Sequence, residues 1–220
     1  MIYEGKGNLV GVLIMPNYDS LRKLQSTFEE NMDIAKRFIS LAELKGLRET
    51  IRERRLITRI RDEFGPLRIR IKDISDKLYE VGLPQTEVFI VSCFEYCLKE
   101  AYRILKGSDL TREEEKSFLR PDEIRKLYGK MLKRDVLDGD EKLLKRAKAV
   151  IQTRHVIVHR GGIIDGKAHA AFKDAGLSRG MVDSRLQLTP EDVKQDIEYL
   201  ETFVKKVFDH VLSVKLSGKL

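Results

Sequence analysis

The stretch Ile151-Gln-Thr-Arg154-His155-Val-Ile-Val-His159-Arg160-Gly161-Gly162 decides the reading of this chain. Upstream of it, Asp140 can cap a helix. Leu143/Leu144, Ala147, Val150/Ile151 and Val158 then recur at spacings of three and four. The pattern is helical, and Gly161-Gly162 must stop it. The last turns of this helix therefore carry two arginines and two histidines.

The same periodicity runs outward in both directions. Leu21, Leu24, Phe28, Met32, Ala35, Phe38/Ile39 and Ala42 predict a helix from Leu21 to about Glu63, with Gly46 a possible break and Gly65-Pro66 a stronger one. A short helical or mixed segment over 66–83 closes at Gly82 and Pro84. A strong helix follows, with an apolar stripe through Val88, Val91, Phe94, Leu98, Ala101/Tyr102 and Leu105, and Gly107 as its C-cap. Thr111 with Glu114 fits a capping box, and Pro121 opens a helix to about Lys133. Residues 163–187 read as a glycine-punctuated loop with a short hairpin. Thr189, Pro190 and Asp192 then start a final helix with a stripe of Val193, Ile197, Leu200, Val204, Val207/Phe208 and Val211. The expected fold class is all-α, with a helical extension over 1–83 and a helical bundle over 84–220. The run Leu9–Met15 is ambiguous; without a basic flank or a cleavage site it does not read as a signal peptide.

Composition bounds the function. The chain has 220 residues, 42% hydrophobic and 35% charged, which suits a packed domain rather than a disordered one. The 42 Lys and Arg against 35 Asp and Glu leave a net charge of +7, a surplus that favours polyanionic partners. No segment is long enough to span a membrane. Cys93 and Cys97, four apart on one helical face, make poor disulfide geometry and read as reduced core residues of a cytoplasmic protein. The arginine-rich stretch 48–61 has interleaved Glu49 and Glu53. It reads as a solvated face with ion pairs in preference to an RNA-facing strip, since no aromatic residue interleaves to stack on bases.

Arg154 and His159, with four residues between them and His155 beside the arginine, resemble the signature of the HEPN family. So do the exit Arg160-Gly161-Gly162, Asp165, and the early helix around Val91-Ser-Cys-Phe-Glu95. The resemblance covers about residues 84–215. It implies a helical bundle and a metal-independent endoribonuclease, in a toxin–antitoxin or phage-defence setting. The implied partners are RNA, a second copy of the chain, and an antitoxin or other regulatory protein. No cofactor and no metal are implied. The implied catalytic residues are Arg154, His159 and His155.

The residue types fit that chemistry. A ribose 2′-hydroxyl must lose a proton to attack phosphorus, and the leaving 5′-oxygen must gain one. Histidine, with an unperturbed pKa of about 6.5, performs either task. A guanidinium offers a phosphoryl group two parallel hydrogen bonds. Two other readings stay open: a noncatalytic module that binds RNA, nucleotide or a partner protein, and a structural dimerisation domain. Arg154 can equally serve as a structural ion-pair partner, with Glu95 the natural candidate. His155 and His159 share a face and can supply two metal ligands, but His169 and His210 lie elsewhere and no third ligand follows. His210 reads as structural.

Five residues turn about 500°, which leaves Arg154 and His159 about 140° apart around an ideal helix. One helix presents them poorly as a single cluster. The resemblance therefore implies a homodimer with facing motif helices, to which the stripe of the Leu21 helix can add. Light scattering at micromolar concentration should give twice the chain mass. A monomer that retains ribonuclease activity would rule out the shared cleft.

Overall fold

The computed structural model describes residues 17–59 and 67–217, with side chains described over 17–40 and 82–213. Those residues form seven helices and no strand. The protein is all-α. Helices α1 (Tyr18–Arg59), α2 (Leu67–Lys106), α5 (Glu141–Arg160) and α7 (Pro190–Ser217) pack on one another. The short α3 (Arg112–Ser117) and α4 (Pro121–Leu132) pack together, with α4 against α5 and α7. Helix α6 (Gly166–Asp174) packs on α5.

Helix starts follow the local chemistry. The Thr111–Glu114 capping box forms reciprocally, and Pro121 occupies the first turn of α4. Asp140 accepts a hydrogen bond from Leu143 N at 2.9 Å. Thr189 and Asp192 exchange bonds of 2.8 and 3.1 Å at the start of α7. Helix ends follow too: Gly107 and Gly161 sit at φ of +68° and +60°, the left-handed conformation glycine adopts without a side-chain clash.

The apolar stripes read from sequence form the main core. Leu21, Phe28, Met32, Ala35 and Ile39 of α1 are buried with Val91, Phe94, Leu98, Ala101 and Tyr102 of α2 and with the full Val193–Val211 stripe of α7. Phe94 meets Phe203 edge-on at 5.3 Å between centroids. Tyr128 of α4 is buried, and its hydroxyl donates to Leu98 O at 2.6 Å. Leu21, Phe28, Met32, Ala35 and Ile39 of α1 are buried inside their own chain, while Ile34 and Phe38 on the same helix stay exposed.

Three expectations need correction. Helix α2 runs unbroken through Gly82 and Pro84, so the boundary read near residue 83 falls inside a helix. The cleft that Asn17 and Ser20 line with Arg103, Ile104 and Gly107 puts the start of α1 beside the end of α2. Phe38 lies against Gly82, so the two long helices run antiparallel, and Gly82 admits a neighbouring ring rather than ending a helix. An interior proline costs about 3 kcal/mol. Burial of Leu83, Ile90, Val91 and Phe94 on both sides of Pro84 offsets that cost. Gly46 likewise lies within continuous α1.

The second correction concerns residues 163–187. They contain α6, capped by Asp165 accepting from Ala168 N at 2.8 Å, and a single antiparallel bridge between Ile163 and Arg185 in place of a hairpin. Ile164, Ala168 and Phe172 bury against Ala149 and Val156 of α5 as a small second core. The third follows from it: Val158 is exposed, because the end of α5 turns Val156 inward to this second core.

Gly180 is the tightest point of the segment that follows α6. Its φ is +118°, and a Cβ there would lie 2.8 Å from Ile164 Cδ1 and 2.9 Å from Ser184 Oγ. Gly180→Ala should lower stability by more than about 1 kcal/mol. Gly166→Ala, which meets open space, is the control. Thermal denaturation of both variants checks this, and equal melting temperatures would contradict it.

Candidate functional site

Helix α5 ends in open solvent with its basic residues arranged around the last turn. The N–H of Gly162 donates to Val156 O at 3.0 Å, and Ile163 N donates to Arg160 O at 3.1 Å, which closes the helix end and turns the chain toward α6. The rings of His155 and His159 sit 5.0 Å apart at an interplanar angle of 45°, both exposed. The i,i+4 spacing produces this pair, as the sequence implies. Arg160 Nε lies 3.7 Å from Asp165 Oδ2, the same carboxylate that caps α6.

Arg154 faces elsewhere. Its Nη1 lies 3.6 Å from Glu95 Oε1 on α2, and its Nε is buried without a hydrogen-bond partner. A quarter of the side chain stays exposed. The structure therefore brings the two histidines together and pairs Arg154 with Glu95, in keeping with the separation an ideal helix gives Arg154 and His159. Burial pushes the Glu95 carboxyl above its ordinary range, and Arg154 pulls it back.

The electrostatics single out His155. Partial burial holds its pKa below the ordinary value of 6.5; the neighbouring His159 adds to the shift, as do Lys167 and Arg160, while Asp165 opposes it. Neutral His155 is therefore the dominant form near neutral pH and can accept a proton. His169 lies apart, with Nδ1 at 3.3 Å from Gly180 O. His210 Nε2 contacts Asp138 Oδ1 at 2.9 Å, away from the His155–His159 pair. No group of three metal-ligating side chains occurs among the described residues. The arginine-rich stretch 48–61 lies outside the described side chains.

One cluster escaped the sequence reading. Arg179, in the segment after α6, is fully buried. It donates from Nη2 to Asp196 of α7 and from Nη1 to Thr153 Oγ1 of α5, and its guanidinium stands 5.7 Å from the Phe172 ring. Thr153 passes the chain on by donating to Ala149 O at 3.0 Å. Glu87 of α2 is fully buried nearby. A signal existed: Glu87 and Asp196 each interrupt an apolar stripe, between Leu83 and Ile90 on α2 and between Val193 and Leu200 on α7.

In a proton NMR titration, the His155 imidazole should titrate below 6.5. His159→Asn should move that midpoint upward, because a neighbouring positive charge is removed. An unmoved midpoint would exclude His159 as a cause of the shift and leave burial with Lys167 and Arg160.

Compared with protein-family models, with curated proteins and with solved structures, this chain matches none of them.

Proposed function

We propose that the protein is a metal-independent endoribonuclease that cleaves RNA by attack of the substrate's own 2′-hydroxyl. The observation that carries this reading is the exposed His155–His159 pair, with His155 held toward its neutral form. Two imidazoles at this spacing supply the proton acceptor and the proton donor that the reaction needs. His155 takes the 2′-hydroxyl proton as the new O2′–P bond forms. His159 delivers a proton to the 5′-oxygen as the P–O5′ bond breaks. Arg154 neutralises the phosphoryl oxygens, within one chain or across a pair of chains. Arg160 and Lys167 add positive charge around the histidines, which favours a phosphate backbone.

A second reading has one specific observation in its favour. Arg154 is engaged with Glu95 rather than turned toward the histidines. A noncatalytic module that binds RNA, nucleotide or a partner protein needs no convergence of these groups.

Incubation of the purified protein with RNA in excess chelator separates the two. The enzyme leaves a 2′,3′-cyclic phosphate or its 3′-phosphate hydrolysis product, together with a 5′-hydroxyl. His159→Ala at unchanged fold should lose about 10²-fold or more in rate. Arg154→Lys should also be impaired, since it keeps the charge and loses the bidentate fork. RNA with a 2′-deoxy sugar at the cleavage site should resist. Binding without cleavage supports the module, and products ending in a 3′-hydroxyl rule out this mechanism.

A further inference from the structure

The buried cluster beneath the second core holds one cation and two carboxyl groups. Arg179, Asp196 and Glu87 each have 0% exposure. Arg179 bonds to Asp196 and to Thr153. The Glu87 and Asp196 carboxyls lie within hydrogen-bonding reach of each other, and beyond that contact the Glu87 oxygens, Asp196 Oδ1 and Arg179 Nε are buried without a partner. Two ionised carboxylates against one guanidinium would leave a net negative charge in a site without solvent, which burial strongly disfavours. A proton on one carboxyl removes that excess. Asp196 holds the direct bond to Arg179, so Glu87 is the group that keeps the proton.

The cluster also has a mechanical position. Helix α6 packs on α5, and the small core of Ile164, Ala168 and Phe172 is separate from the main core. Arg179 reaches from the segment that follows α6 to Asp196 on α7 and Thr153 on α5, beside Glu87 on α2. We propose that Arg179, Asp196 and a protonated Glu87 form a proton-closed latch that fastens residues 163–189 onto the helical bundle. The latch stands independently of the ribonuclease reading. It does bear on the histidine pair, because the fastened segment carries Asp165 and Lys167, whose charges act on His155.

The charged groups acting on Glu87 are Arg179 from the segment after α6, and Asp196 and Asp192 from α7. Helix α5 faces the cluster with the uncharged Thr153, and α1 buries only apolar side chains among its described residues. Burial raises the Glu87 carboxyl well above its ordinary range, and the charge on Asp196 raises it further. A group raised in the folded state contributes its full stability below the ordinary glutamate range and loses it as pH rises toward the folded value.

Urea denaturation of the full chain between about pH 5 and about pH 8 tests the proton. Below the folded-state value of Glu87, the unfolding equilibrium constant of the wild type should rise with pH more steeply than that of Glu87→Gln, which mimics the neutral acid, by up to about tenfold per pH unit. Amide-exchange protection over 163–189, measured in the same series, should show the same excess dependence. Asp196→Asn supplies a second variant. Glu87 then becomes the counterion of Arg179 and ionises, so the excess slope should vanish there too. Parallel slopes in the wild type and Glu87→Gln would overturn the proposal, and so would a slope that persists in Asp196→Asn. An excess confined to global unfolding, without a matching change over 163–189, would overturn the latch.

Discussion

A guanidinium without solvent can be held only by groups that return, through hydrogen bonds and opposite charge, what water gave it. Arg179 meets most of that demand with Asp196, Thr153 and the face of Phe172, and only its Nε is left without a hydrogen-bond partner. Each partner sits on a different element: α7, α5 and α6. The arrangement ties the helices together at one point and fixes where the segment between α6 and α7 must run. Gly180 then follows of necessity. Its backbone passes so close to Ile164 and Ser184 that a side chain has no room, and its φ lies where only glycine is at ease.

The second core beside α5 follows from the same constraint. Ala149 and Val156 bury against Ile164, Ala168 and Phe172, so the inward face of α5 near its end belongs to this satellite and not to the main bundle. That orientation sends Val158, His155 and His159 outward. The exposed histidine pair is a consequence of how the satellite docks. Arg154, one residue before His155, is carried round the helix toward α2, where Glu95 receives it. Helical geometry separates the members of the motif, and the packing on either side of α5 reinforces the separation.

The two long helices show how far packing can override local signals. Gly82 and Pro84 read as punctuation, because glycine and proline are both poor in a helix interior. In α2 they lie within an apolar stripe that α1 and α7 cover, and the helix continues. Local signals succeeded where a hydrogen bond between near neighbours settles the matter. The caps at Thr111, Asp140 and Thr189 and the glycine ends at Gly107 and Gly161 depend on residues within about one turn, so the sequence contains everything needed to read them.

By itself, the sequence determined the helical class, most of each apolar face, the caps and the pairing of His155 with His159, because each depends on spacing along one helix. Even the Arg154–Glu95 pair was foreshadowed there, by two complementary charges on helices that had to pack. The tertiary structure alone decided that α2 is continuous, that α6 exists as a docked satellite, and that Val158 faces solvent. It alone brought Glu87, Thr153, Arg179 and Asp196 together. Those four residues span more than a hundred positions of the chain. Glu87 and Asp196 were visible as charges within apolar stripes, but nothing local to Arg179 announces that it is their counter-charge. Contacts of such separation are set by which helix faces must be covered at once, and that is a property of the packed whole.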